Sequence, residues 1–236
     1  MIGRIDIITP FPDMVAGVLK TSILGRAVTK GLMDFRLYNL YEFADPPHYK
    51  IDDAPYGGGA GMIMKPEPVF KAFRQCTADS EALQRRVIFP SPDGRAYEQA
   101  DAVELLKSDQ LVFICGHYKG IDQRVRDELV TDEFSAGDFV MTGGELPALM
   151  IVDSVVRLIP GVLNTIESAE TDSFSNELLD SPHYTRPREY EGLAVPEVLV
   201  SGHHGEIEAW QQAQREAKTR DRRPDIWQEY LAKKRR

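Results

Sequence analysis

The chain has little with which to build a metal centre or a covalent framework. In 236 residues there are two cysteines, Cys76 and Cys115, and five histidines. No C-x-x-C pair occurs, and His203-His204 has no third ligand at suitable spacing, so neither a zinc site nor a disulfide scaffold is expected. Two isolated cysteines suit a reducing cytosol, the expected compartment. Long apolar runs are missing too. The longest apolar region, Leu146 to Leu163, is broken by Asp153 and Arg157, so no membrane span is expected. The amino-terminal MIGRIDIITPF reads as a strand rather than a signal peptide. No G-x-G-x-x-G opens a helix after the first strand, and no Gly-Lys-Ser/Thr follows the glycines at 57–61. These absences argue against an ordinary dinucleotide or Rossmann methyltransferase site and against a P-loop. Positive charge is scarce overall: the net charge of −9 counts against a nucleic-acid partner. The deficit is uneven, however. Residues 211–236 hold nine Lys and Arg against four acids, or +5, which leaves −14 on residues 1–210. A basic end on an acidic body is either a polyanion contact or a solvated helical tail.

What is present is a repeated strand-then-helix pattern. Residues 2–8 alternate apolar and polar, as do Met33 to Leu40. Pro12 to Lys30 has helical periodicity, stopped by Gly31. Pro66 to Cys76, Tyr97 to Lys107 and Ile121 to Val130 read as helices. Arg86 to Phe89 reads as a short strand ending in Pro90-Ser91-Pro92-Asp93-Gly94, and Leu111 to Cys115 as a strand buried on both faces. Phe139-Val140-Met141 reads as a strand that ends in Thr142-Gly143-Gly144, with Pro147 in the first turn of an apolar helix, Ala148 to Ile159. The predicted class is α/β, a parallel sheet with helices on both faces. Residues 1–163 form the expected α/β domain and 164–181, polar and acidic, a linker or mobile lid. Residues 182–236 form a small helical domain anchored by Trp210 and Trp227.

Three predicted strand ends are small and turn-rich: Ser91-Pro92, Gly116-His117-Tyr118-Lys119-Gly120 and Thr142-Gly143-Gly144. Together they line one ligand crevice if the sheet is parallel. The long loop from Tyr41 to Met64 carries four glycines in five residues, Gly57, Gly58, Gly59 and Gly61, and is either a flexible surface loop or a backbone cradle. Arg157 sits near the end of the apolar helix. It is either the surface partner of Asp153, four residues back, or a cation facing a site where negative charge develops. Asp172 is either a solvated linker carboxylate or a general base carried on a lid.

Seven strings occur in order: DDAPYGGGAGM (52–62), ICGHYKGIDQR (114–124), AGDFVMTGGELPA (136–148), RLIPGVL (157–163), SAETDSF (168–174), LLDSPHYTRP (178–187) and VLVSGHH (198–204). Together they closely resemble the bacterial tRNA (guanine-N1)-methyltransferase family over nearly the whole chain. The resemblance implies an α/β domain tied in a deep trefoil knot of the SPOUT class, followed by a helical tRNA-binding domain. It implies a homodimer with active sites shared between subunits. The reaction it implies is methylation, from S-adenosyl-L-methionine, of N1 of the guanine 3′ of the anticodon. Carried over by motif, the cofactor pocket comprises Pro92, Gly116, Tyr118, Gly120, Ala136, Gly137, Asp138, Phe139, Val140, Met141, Gly143, Gly144 and Pro147. Gly57, Gly58, Gly59, Gly61, Ser173, Arg222 and Arg223 fall to the tRNA. Asp172 matches the family's base and Arg157 the arginine that assists it.

Two departures stand out. Lys119 replaces a glutamate common in the family, which leaves any use of magnesium open, and Phe139 replaces a tyrosine. Competing readings are methylation at another RNA site, an RNA-binding protein with a decayed site, and a nucleotide-binding metabolic enzyme. The last leaves the basic end unexplained.

Overall fold

The computed structural model describes residues 2–78, 80–163, 172–174 and 177–234. The chain divides into two compact units, Met1–Asn164 and Thr165–Arg236. In the first unit the elements run β1 (Arg4–Thr9), α1 (Pro12–Leu19), α2 (Ser22–Thr29), β2 (Asp34–Asn39), β3 (Asp52–Asp53), β4 (Ile63–Met64) and α3 (Pro66–Ala78). They continue as β5 (Arg85–Ala96), α4 (Gln99–Leu105), β6 (Gln110–Ile114), α5 (Gln123–Leu129), β7 (Asp132–Ser135) and α6 (Glu145–Val156).

Five of these strands form one parallel sheet in the order β2-β1-β6-β5-β7. Side chains alternate between its faces, as strand geometry requires. Ile5, Ile7, Leu111, Phe113 and Ile88 point to a core shared with α1, α2, α4 and α6. Ile8, Val112, Ile114, Val87 and Phe89 point to the opposite core, with α3 and α5. The central strand β6 is buried along its whole length, so its apolar run had to be continuous rather than alternating. The predicted class, a parallel sheet with helices on both faces, is the one observed, and four of its five strands fall where the sequence places them; the edge strand β7 does not.

Three local expectations need correction. The helix expected over Pro12 to Lys30 is two helices. The first ends at Leu19 with Lys20 as its cap, the Thr21 hydroxyl donates back to the Val18 carbonyl at 2.9 Å, and Ser22 turns the chain with φ +50°. A Cβ at Gly25 would overlap the Lys20 carbonyl, so the second helix packs tightly against the end of the first. β5 does not stop at Phe89. It runs on to Ala96 with a register shift between Pro90 and Arg95, and the backbone at Gly94 lies so close to β7 that a Cβ would stand 2.5 Å from the Glu133 carbonyl carbon. The run Phe139-Val140-Met141 is not a strand. β7 ends at Ser135, and these three side chains are exposed, Val140 by 87%. Apolar residues here serve a surface or a crevice rather than the core.

The second unit contains a two-stranded hairpin, β8 (Glu189–Tyr190) with β9 (Leu193–Ala194), and two helices, α7 (His204–Arg222) and α8 (Pro224–Lys234). Trp210 meets Tyr184, and Trp227 stacks on Tyr230 with centroids 5.4 Å apart. Thr219, fully buried on α7, accepts a hydrogen bond from the Leu179 amide, and Lys218 donates to the Asp180 carbonyl. Of the expected lid at 164–181, residues 164–171 and 175–176 lie outside the described residues, as do Arg235 and Arg236 of the basic end.

Candidate functional site

A crevice of about 270 Å³ opens beside the register shift of β5 and the carboxyl ends of β6 and β7. Ligands of open parallel sheets favour this edge. Three segments build it: Phe89 to Asp93 at the irregular stretch of β5, Gly116 to Ile121 after β6, and Ser135–Gly144 short of Asp138. The three turn-rich segments singled out in the sequence therefore meet at one place, although only the one after Ile114 follows directly on a strand. Of the residues assigned to a cofactor, Pro92, Gly116, Tyr118, Gly120, Ala136, Gly137, Phe139, Val140, Met141, Gly143, Gly144 and Pro147 line it. Asp138 is exposed and does not.

The glycines are there for close approach. A Cβ at Gly144 would stand 2.9 Å from the Cys115 Cα, and the Gly144 amide donates to the Gly116 carbonyl at 2.9 Å. A Cβ at Gly116 would meet the Phe89 ring at 2.9 Å. At Gly143 it would overlap both the His117 ring and the Glu145 carboxylate. His117 and Gly143 are paired as an antiparallel bridge, so the elbow lies directly against the loop after β6. Tyr118 adopts φ +61°, a conformation costing a non-glycine residue about 1–3 kcal/mol and found mostly where function over-determines the backbone. Burial pushes its hydroxyl up to about 12, with the Tyr41 hydroxyl adding to the shift.

The wall holds charged residues that sequence reasoning missed. Arg126 donates to both oxygens of Glu133, at 2.9 and 2.6 Å, and to Asp93 at 3.0 Å, so it braces the Pro92-Asp93 rim. His117 lies 2.7 Å from the Glu145 carboxylate, which is fully buried and also accepts from Thr9 at 2.6 Å. Glu145 stands inside the resemblance string GGELP, and that was its only sequence signal.

The loop holding the glycine run is pinned at its base. β3 pairs with β4, the Met64 amide donates to the Gly120 carbonyl, and the Lys119 amide donates to the Met62 carbonyl. Gly57, Gly58, Gly59 and Gly61 all have φ between +81° and +121°. A Cβ at Gly57, Gly58 or Gly59 would meet nothing, so conformation alone demands glycine there. At Gly61 a Cβ would press on the Lys119 stem at 2.9 Å. The loop therefore stands over the crevice segment that carries Lys119.

Arg157 is the residue that caps α6, half-buried in the first unit. Asp172 is half-buried in the second unit, and the Ser173 hydroxyl accepts from the Asp180 amide at 3.0 Å. Arg222 and Arg223 are exposed at the end of α7. Arg223 is held by Asp225, whose carboxyl it pulls down to about 2, and stands 6.0 Å over the Phe174 ring. Among the described residues, no group of three His, Cys, Asp or Glu side chains could hold a metal, and no helix is long and apolar enough to cross a membrane.

A family model described as tRNA (Guanine-1)-methyltransferase TrmD matches residues 3–229. A tRNA (guanine-N(1)-)-methyltransferase of Anoxybacillus flavithermus is 52% identical over 227 residues, covering 96% of this chain and 92% of that protein. The proteins of that name from Bacillus subtilis and Desulforamulus reducens are each 51% identical, over 96% and 94% of this chain and 93% and 88% of their own lengths. A glycine-built crevice along one edge of the parallel sheet thus lies inside a match that spans both units, and the chain belongs to the tRNA (guanine-N1)-methyltransferase family.

Proposed function

We propose that this enzyme methylates N1 of the guanine 3′ of the anticodon in tRNA, with S-adenosyl-L-methionine as donor. The observation that carries the reading is the crevice beside β5, β6 and β7, whose walls approach through Gly116, Gly143 and Gly144, in a chain matched by the family from residue 3 to 229. The donor supplies a methyl group on a sulfonium sulfur. The residues suit it. Glycines let the crevice walls close on one another around the space for a flat base, and apolar surface comes from Phe139, Val140 and Met141. The positive-φ glycines at 57–61 offer a backbone cradle to the target guanine, which has to be splayed out of the loop stack.

Guanine N1 is protonated and a poor nucleophile at neutral pH. Asp172 takes that proton, and the Arg157 guanidinium answers the negative charge that grows towards O6. Asp172 sits beside the segment 164–171 and acts as a base brought into place by tRNA docking. The exposed Arg222 and Arg223 contact phosphates.

The functional unit is a homodimer whose first unit is tied in a trefoil knot and whose second unit binds tRNA. Two observations support this. The chain leaves edge strand β7 and returns across the sheet end to start α6 beside the loop after β6. In addition α1 and α6, which pack together, leave Met14, Val18, Leu146 and Met150 exposed, as is Phe11 just before α1, apolar surface suited to a second copy. The deciding experiment is methyl transfer from labelled S-adenosyl-L-methionine to tRNA transcripts carrying G or A after the anticodon. Label is expected on the G transcript alone. No transfer to it refutes the proposal.

A further inference from the structure

Glu145 is the first residue of α6 and is fully buried. A buried carboxylate is costly unless its oxygens are satisfied. Here each oxygen has its own partner, Thr9 on Oε1 and His117 on Oε2. The set closes into a circuit. The Thr9 hydroxyl accepts from the Phe11 amide at 2.9 Å, and the Phe11 ring meets the His117 ring edge to face, centroids 4.7 Å apart. The members come from three places: the end of β1, the loop after β6 and the start of α6. A further tie runs from the His117 amide to the Met64 sulfur at the foot of the glycine loop. Gly143 is the residue that makes room for the circuit, since any Cβ there would strike both His117 and Glu145. Of the three polar members only His117 faces the crevice. Apolar packing at Glu145 would serve stability as well or better. What the polar set adds is direction: it orients one imidazole and locks two crevice walls in register.

We infer that Thr9, Glu145 and His117 form a clasp that sets the crevice for its ligand, so that His117 and Glu145 are positioning residues for donor binding. This rests on the reading of the crevice as the donor site. Breaking the clasp lets the loop 116–120 and the elbow 142–144 move apart. Donor affinity then falls while the chemical step, once the site is full, is little changed.

The test measures S-adenosyl-L-methionine binding by calorimetry, together with KM and kcat for tRNA methylation and ligand-free thermal melting, in wild type, His117→Ala and His117→Gln. His117→Ala is expected to raise the donor Kd and KM about tenfold, equivalent to about 1.4 kcal/mol. Its kcat at saturating donor should change by no more than about twofold, the pattern of lost uniform binding. Glutamine carries an amide N–H to about the position of Nε2 and should recover most of the affinity. If His117→Ala melts without cooperativity, Thr9→Val against Thr9→Ser carries the test at the far end of the circuit: valine weakens donor binding, and serine, which keeps the hydroxyl, retains it. Wild-type binding with undiminished affinity in His117→Ala overturns the clasp alone, as does glutamine being as impaired as alanine. A wild-type chain that does not bind the donor overturns the reading of the crevice and the clasp with it.

Discussion

Asp172 carries the sharpest expectation for a single residue. Asparagine keeps its size and polarity but cannot take a proton. Asp172→Asn should therefore lower turnover by about 10²–10⁴-fold while donor affinity, measured separately, stays near wild type. Loss of donor binding instead would place Asp172 in the wrong half of the site. The cysteines make a contrasting case. Cys76 and Cys115 are both free and fully buried. Burial pushes the Cys76 thiol up to about 12, and burial together with Glu145 pushes Cys115 well above its ordinary value. Since the thiolate is the reactive form, neither should label with iodoacetamide at pH 8 in the native protein, and both should label once it is denatured. Rapid native labelling would mean that the strand end at Cys115 opens.

Among the elements, the close approach of α6 to the end of β6 depends on one missing side chain. Gly144→Ala puts a methyl 2.9 Å from the Cys115 Cα and 3.0 Å from the Gly116 nitrogen, both backbone atoms that cannot swing aside. A cost of about 1–3 kcal/mol in chemical denaturation is expected, with weakened donor binding alongside. An unchanged midpoint would show that the elbow has slack. The carboxyl end of α7 makes a different kind of prediction. Its last turn carries Arg220 and Arg222, followed by Arg223 at the cap. Reversing the charge at Arg222 and Arg223 should weaken tRNA binding and shallow its salt dependence by about one unit of slope for each phosphate no longer neutralised. Because Arg223 already answers Asp225, Arg222 should account for the larger part. A salt slope equal to wild type would mark this end as solvated helix.

For the molecule as a whole, acid should be the weak side. Burial alone would raise the Asp132 carboxyl, yet hydrogen bonds from Arg86 and Thr131 outweigh it and hold it below its ordinary value. Asp180 in the second unit behaves likewise: burial raises it, and His183, the Ser181 amide and Arg215 together lower it further. A carboxyl depressed in the folded state stabilises the fold above its unfolded pKa of about 3.9 and ceases to do so as pH falls through the folded value. Melting temperature should therefore hold from pH 7 to about 5 and drop below about 4, less steeply in Arg86→Ala because Asp132 then contributes less. An identical acid limb in that variant would exclude the pair as a source.

The order of amino acids alone specifies four of the five strands of the parallel sheet, because strand alternation and the unbroken apolar run of β6 are local patterns that survive any rearrangement of the rest. It also specifies where the crevice lies, because glycine and proline punctuate the chain at each of its three walls. Seven ordered strings point to the family. Folding supplies what those local signals do not encode. The apolar triplet Phe139 to Met141 is read as a strand by composition, but the fold leaves it exposed at the crevice, since β7 has already ended at Ser135. The helix expected from Pro12 to Lys30 breaks at Lys20–Ser22, where the second helix turns back and packs Gly25 against Lys20. His117 and Glu145 carry no periodic signal. They meet, with Thr9, only because β1 and β6 are neighbours in the sheet and Gly143 leaves the space between them empty. Apolar burial repeats every second or fourth residue and can be read along the chain. The partner of a buried charge is chosen across it, and only the folded chain contains that choice.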